Sequence, residues 1–220
     1  MKNNSFTFKI AVDGSSASGK STGSKYLSKK FKLKFLSSGK LYRYLALRII
    51  KNKKKYNINF VKKISKKITL KKLNNSKIYS SDVTKLSSVI AKKKYIRKFL
   101  KNYQTDFIKK NRMLIIEGRD IASKILPDAD LKIFFTCSLN EKAKRRLKEY
   151  KKINSNYSIN DVKKALKLRD FMDKNRKESP LLFVKGAVLV DTTNLNIKQM
   201  EAKLNKLVSK KIKKKKYGNI

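Results

Sequence analysis

The stretch Gly14-Ser15-Ser16-Ala17-Ser18-Gly19-Lys20-Ser21-Thr22 sets two glycines, a lysine and a hydroxyl at the spacing G-x-x-x-x-G-K-[ST]. Backbone N–H groups can close around a phosphate chain only where no Cβ intervenes, and the helix that follows would turn its positive N-terminus toward it. In that arrangement the Lys20 ammonium would bridge the β- and γ-phosphates of a nucleoside triphosphate, and the Ser21 hydroxyl would ligate Mg²⁺. Gly14 through Thr22 is therefore the expected ATP-binding loop.

A second set of candidates comes from scarcity. Of 59 basic residues only nine are arginine: Arg43, Arg48, Arg97, Arg112, Arg119, Arg145, Arg146, Arg169 and Arg176. Guanidinium is planar, stays charged and grips phosphate through two bonds, whereas ammonium is a point charge. Where lysine is the default cation, an arginine marks a place where lysine would not serve. Five of the seven glycines, Gly14, Gly19, Gly23, Gly39 and Gly118, also fall in or beside the motifs.

These residues need elements to hold them. Residues 8–12 (FKIAV) read as a short buried strand running into the phosphate loop, with a helix following from Thr22 to about Phe31. Further apolar strands are expected at 113–116, 131–135 and 187–190, the first of these ending in Glu117-Gly118-Arg119-Asp120 and the last in Asp191-Thr192-Thr193. Helical stretches are expected at about 40–51, 83–110, 140–151, 159–174 and 196–213, and a small hairpin around the Asn-Asn pair within 68–79. Strands alternating with helices predict an α/β fold with a parallel sheet covered on both faces. Ligands of such sheets sit at the carboxyl ends of the strands, where Gly14, Glu117–Asp120 and Asp191 fall.

Composition narrows the chemistry. A chain of 220 residues suits one domain with small inserts. The absence of histidine excludes Ser-His-Asp and Cys-His catalysis, and a single cysteine, Cys137, leaves no disulfide and no plausible zinc site. One cysteine fits a reducing compartment, and no signal-peptide layout or membrane-spanning apolar run is visible, so a cytoplasmic protein without a membrane partner is expected. The formal charge of +44 comes from lysine spread along the whole chain rather than gathered on one arm. A strongly AT-biased coding sequence would produce that pattern whatever the protein does. The Lys206–Lys216 tail is expected to be a solvated helix end, and no specific nucleic-acid partner is expected.

Four blocks carry a resemblance to the bacterial cytidylate kinases, P-loop nucleoside monophosphate kinases: AVDGSSASGKST (11–22), FLSSGKLYR (35–43), IIEGRDIASKILPDADLKIFFTCSLNEKAKRR (115–146) and LRDFMDKNRKESPLLFVKGAVLVDTTNL (168–195). The resemblance covers nearly the whole chain. It implies a three-layer fold around a central parallel sheet, with a core at 1–39, 105–148 and 177–220, a small acceptor-binding insert at about 40–104, and a lid at about 149–176. It implies ATP-dependent, Mg²⁺-assisted transfer of the γ-phosphoryl group to CMP and dCMP by a monomer. Ser38, Tyr42 and Arg43 would line the acceptor site; Ser88, Arg97 and Asp120 would read the cytosine edge. Arg119, Arg169, Asp173 and Arg176 would contact acceptor sugar and phosphate, with Lys20, Arg119, Arg169 and Arg176 as the catalytic set and Arg145 and Arg146 beside ATP. A carboxylate at Asp120 suits the 4-amino group of cytosine and repels the corresponding oxygen of uracil.

The chain departs from the family at Ser37-Ser38-Gly39, where Asp-Thr-Gly or Asp-Ser-Gly is usual, at Ala122 in place of glycine, and at Gly186-Ala187 in place of Asp-Ala. The insert around 52–82 is short and Lys-rich. Two alternatives stay open: a P-loop kinase for another acceptor such as UMP or AMP, and a nucleic-acid-binding NTPase.

Overall fold

A computed structural model describes residues 6–52, 56–151 and 157–218. The chain divides into two compact units, one formed by the residues up to Phe35 and from Arg112 onward, the other by Leu36–Asn111.

The first unit is built on strands β1 (Phe8–Gly14), β3 (Met113–Glu117), β4 (Leu131–Thr136) and β5 (Ala187–Asp191). With β2 (Lys34–Ser37) they form a five-stranded sheet in the order β2-β3-β1-β4-β5. β1 pairs in parallel with β3 and β4, and β4 with β5. The expected α/β parallel architecture is thus the one found. β1 occupies the centre of the sheet and its residues are almost wholly buried, which explains its continuous apolar run. Ile10, Val12, Ile133, Phe135 and Val190 form one core with Leu27 of helix α1 (Lys20–Lys30) and Met200, Leu204 and Val208 of helix α8 (Ile197–Tyr217). Helix α8 begins with a reciprocal cap: Asn196 Oδ1 accepts from the Gln199 amide at 2.9 Å and Gln199 Oε1 accepts from the Asn196 amide at 2.9 Å. A smaller core of Ala143, Val162 and Leu166 joins helix α6 (Leu139–Lys151) to helix α7 (Ile159–Asn175). Among the described residues no helix is long and apolar enough to cross a membrane.

The second unit is mainly helical, with α2 (Ser38–Lys51), α3 (Ile58–Lys66), α4 (Ser81–Ile90) and α5 (Lys94–Lys110). Two expectations fail here. The 68–79 segment is no hairpin; it forms two short 3₁₀ turns, Lys72–Asn74 and Ser76–Tyr79. Asn75 separates them, its side chain accepting from the Lys77 amide at 2.9 Å, while Leu73 and Ile78 anchor the turns inside. The single helix expected over 83–110 is two helices, because Lys93 is extended (φ −84°, ψ 117°) and Arg97 Nη1 takes the Ala91 carbonyl at 3.1 Å. Strand β2 and helix α3 were not foreseen; four residues of strand carry too little periodicity to register.

Candidate active site

The loop after β1 owes its shape to backbone contacts. Gly14 has φ 145°, and a Cβ there would lie 2.1 Å from the Phe135 carbonyl oxygen, so any side chain would push β1 off β4. The Ser15 amide then donates to that same carbonyl at 3.3 Å. Ala17 follows with φ 54° and Gly19 with φ 86°, the second capping α1. These turns fold the loop back so that Lys20 Nζ donates to the Ser15 carbonyl and lies 3.4 Å from Ser18 Oγ.

Lys20 is buried, and its pKa is lowered well below the ordinary lysine value. Burial is the main cause, followed by the Arg119 guanidinium; Glu117 and Asp170 oppose the shift and Arg169 adds to it. An anion placed among these cations would gain from all of them at once.

Ser21 Oγ donates to Glu117 Oε1 at 2.8 Å. Glu117 ends β3, is 4% exposed, and its second oxygen has no hydrogen-bond partner among the described residues. A buried carboxylate oxygen left over beside the loop hydroxyl fits a divalent cation, which favours oxygen ligands.

A charged network closes over the loop from α7. Arg119 Nε meets Asp173 at 2.8 Å and its Nη2 donates to Ser16 Oγ at 3.1 Å. Burial works against the Arg119 charge, yet the Asp173 carboxylate holds its pKa above the usual value. Burial likewise opposes ionisation of Asp173, but Arg119, Arg169 and Arg176 together keep it below the usual carboxylate value. Arg176 lies 3.4 Å from Asp173, 3.9 Å from Asp120, and donates to the Ser179 carbonyl at 2.6 Å. The Ser16 amide donates to Asp170 Oδ1 at 2.8 Å, and Lys142 holds the other oxygen of Asp170 at 3.0 Å.

Arg145 ties the loop to the end of β5. It donates to Thr192 Oγ1 at 2.9 Å and to the Thr192 carbonyl at 2.7 Å, while Thr192 Oγ1 donates to the Ser18 carbonyl at 3.1 Å. Arg146 instead pairs with Glu149 at 2.8 Å and lies over the Tyr150 ring.

Within the second unit, Ser38 Oγ accepts from Gln104 Nε2 at 2.9 Å. Arg43 donates to Thr84 Oγ1 at 2.6 Å and to the Ile78 carbonyl at 3.2 Å, with its guanidinium 5.3 Å from the Tyr79 ring. Ser88 Oγ reaches the Thr84 carbonyl at 3.3 Å, and the Arg97 guanidinium stands 5.6 Å from the Tyr42 ring.

The structure thus gathers Gly14–Thr22, Arg119, Asp120, Arg145, Arg169, Asp173 and Arg176 in the first unit. It draws Tyr42 to Arg97, and Arg43 and Ser88 to Thr84, in the second. Sequence reasoning placed Glu117 at the ligand end of its strand without giving it a role, and gave none to Asp13, Asp170, Lys142 or Thr192. Glu117 was legible in principle, as an acid ending an apolar strand. Lys142 and Thr192 carried no signal.

A phosphate-binding loop at the carboxyl end of the central strand of a parallel sheet defines a P-loop α/β protein. A family model described as cytidylate kinase matches residues 10–210. A cytidylate kinase of Fusobacterium nucleatum subsp. nucleatum is 38% identical, with 93% of this chain and 97% of that protein covered. Another, from Phytoplasma mali (strain AT), is 34% identical over 94% of this chain and 96% of its own. The chain belongs to the cytidylate kinase family. Among solved structures, an uncharacterized protein from Eubacterium ventriosum shares the fold with a TM-score of 0.57 and 14% identity, covering 93% of this chain and 99% of the other.

Proposed function

We propose that this chain transfers the γ-phosphoryl group of ATP to CMP and dCMP. The observation that carries the reading is that Lys20 and Arg119 touch the phosphate loop, with Arg169 and Arg176 joined to them through Asp173, beside the Ser21–Glu117 pair. Family membership supports the acceptor class.

The acceptor phosphate oxygen is already an anionic nucleophile, so no general base is needed in a chain without histidine. The protein's work is alignment and charge neutralisation. The loop amides and Lys20 would hold the β- and γ-phosphates, and Arg119, Arg169 and Arg176 would steady the transferring group. Mg²⁺, held by Ser21 with Glu117 in reach, would neutralise charge on the β- and γ-oxygens. Asp120 and Arg97 would contact the cytosine edge, with Ser88 as a further donor, and Ser38, Tyr42 and Arg43 would bind the rest of the acceptor. Arg145 would contact ATP, with Arg146 on the same helix. The 149–176 segment would act as a lid that excludes water; residues 152–156 of it lie outside the described residues. A cytoplasmic monomer is proposed with this activity.

The test mixes purified protein with Mg-ATP and, separately, CMP, dCMP, UMP, AMP and dTMP, following ADP release. Rapid turnover with CMP and dCMP alone is expected. Turnover with UMP or AMP instead would overturn the roles given to Ser88, Arg97 and Asp120, and acceptor-independent hydrolysis would overturn the kinase reading.

A further inference from the structure

Asp13, the last side chain of β1 before the phosphate loop, has no part in the roles assigned above. It is 2% exposed, and its two oxygens accept from consecutive amides, Ile121 at 2.9 Å and Ala122 at 2.7 Å. No cation lies within ion-pair distance of it among the described residues. A buried carboxylate held by two amides alone is costly, and an apolar residue there would orphan both N–H groups.

The two amides open an unusual element. Ile121–Ile125 form a single π-helical turn, closed by the Leu126 amide on the Ile121 carbonyl at 2.7 Å. The first N–H groups of any helical turn lack acceptors inside it, so Asp13 caps this one from more than a hundred residues away in sequence. Immediately before the turn stand Arg119 and Asp120, which reach Ser16, Asp173 and Arg176. On the other side, the Gly118 amide is tied to the Val12 carbonyl at 2.8 Å. The Arg119–Asp120 segment is therefore pinned to β1 at both ends, by Val12 before it and by Asp13 after it.

We infer that Asp13 is a positioning residue whose ionised carboxylate sets the Arg119–Asp120 segment against the phosphate loop. The clamp needs both oxygens as acceptors. Protonation turns one of them into an O–H facing an N–H, and the clamp loosens. Burial raises the Asp13 pKa to about 6 against the Ala122 and Ile121 amides, which lower it; of the charged groups, Asp120, from the segment it clamps, adds to the rise and Lys20, from α1, opposes it.

This inference rests on the proposed kinase activity, so its test includes a readout without turnover. Amide exchange, corrected for intrinsic rates, is followed at Ile121 and Ala122 in the wild-type chain between pH 7.5 and 5.5, with Gly118 as reference. Protection of Ile121 and Ala122 should fall with pH while Gly118 stays protected; parallel behaviour of all three overturns the clamp. For activity, kcat and KM of Asp13→Asn are compared with wild type on CMP. The variant should lose about 10–100-fold in kcat at pH 7.5, with KM for ATP changed less than threefold, on the scale of a misplaced charged group. The wild-type advantage should shrink toward pH 5.5. Taking the ratio cancels protonation of the acceptor phosphate itself, which also falls near pH 6. A ratio independent of pH, or an unimpaired variant, overturns the positioning role. Failure of the kinase reading would show as wild type inactive on CMP with the exchange result intact.

Discussion

Arg119 joins two side chains at once, Asp173 through Nε and Ser16 through Nη2, while its Nη1 donates to the Gly118 carbonyl. An ammonium on a flexible stem cannot keep both bonds in one plane. Arg119→Lys should therefore lose about 2–4 kcal/mol of transition-state stabilisation, the scale of a single oxyanion donor. Lys203→Ala, at an exposed position of α8, should change kcat/KM less than twofold, roughly within the tolerance of surface substitutions. Equal losses in the two variants would remove the argument from arginine scarcity. Glu117→Gln keeps the shape at the end of β3 and removes the charge beside Ser21. Mn²⁺ affinity, measured by electron paramagnetic resonance with a non-hydrolysed ATP analogue, should fall about 10–100-fold. At Asp13 the sign of the pH dependence follows from its raised pKa, 3.8 to about 6. The folded chain holds that proton more tightly than the unfolded one, so the group favours folding below pH 4 and loses that contribution as pH rises through 6. The difference amounts to about 3 kcal/mol. Wild type should accordingly gain stability over Asp13→Asn, by urea unfolding, on going from pH 7.5 to pH 4.5.

At the scale of elements, α8 is held at its start by the Asn196–Gln199 cap and along its length by packing on α1. Asn196→Ala removes the acceptor for the Gln199 amide and should cost about 1 kcal/mol in urea unfolding. Gly23 is the tightest point between the two helices: a Cβ there would lie 2.8 Å from a Leu204 methyl and 2.9 Å from the Phe135 ring. Alanine gains about 1 kcal/mol of helix propensity. Overpacking costs about 1–3 kcal/mol, so steric crowding wins and the net effect should be destabilising.

Over the whole molecule the charge dominates, with 59 basic against 15 acidic residues. Such a field draws in anionic nucleotides and strains the folded chain by self-repulsion. Added KCl should therefore raise the melting temperature while lowering kcat/KM for nucleotide more than kcat, and the Debye length of about 10 Å at 0.1 M sets the range over which this appears. A salt-independent kcat/KM would mean that local contacts alone recruit the substrate.

By itself the sequence determined what short-range chemistry encodes. The phosphate loop was legible because glycine, lysine and serine must stand at fixed spacing on one turn, and the strands because buried parallel strands read as continuous apolar runs. Arg119, Arg169 and Arg176 stood out because guanidinium does what lysine cannot. Only the tertiary structure decided which carboxylates hold the phosphate loop and the segment beside it. Asp13 reaches across to amides at 121 and 122, Glu117 comes to Ser21, and Asp170 meets the amide of Ser16. Each of these contacts spans about a hundred residues or more, so no local period or spacing records it. The false hairpin at 68–79 and the merged helix at 83–110 fail for the same reason from the other side. Their local patterns were ambiguous, and the buried Leu73 and Ile78, with Arg97 reaching Ala91, decided between the alternatives.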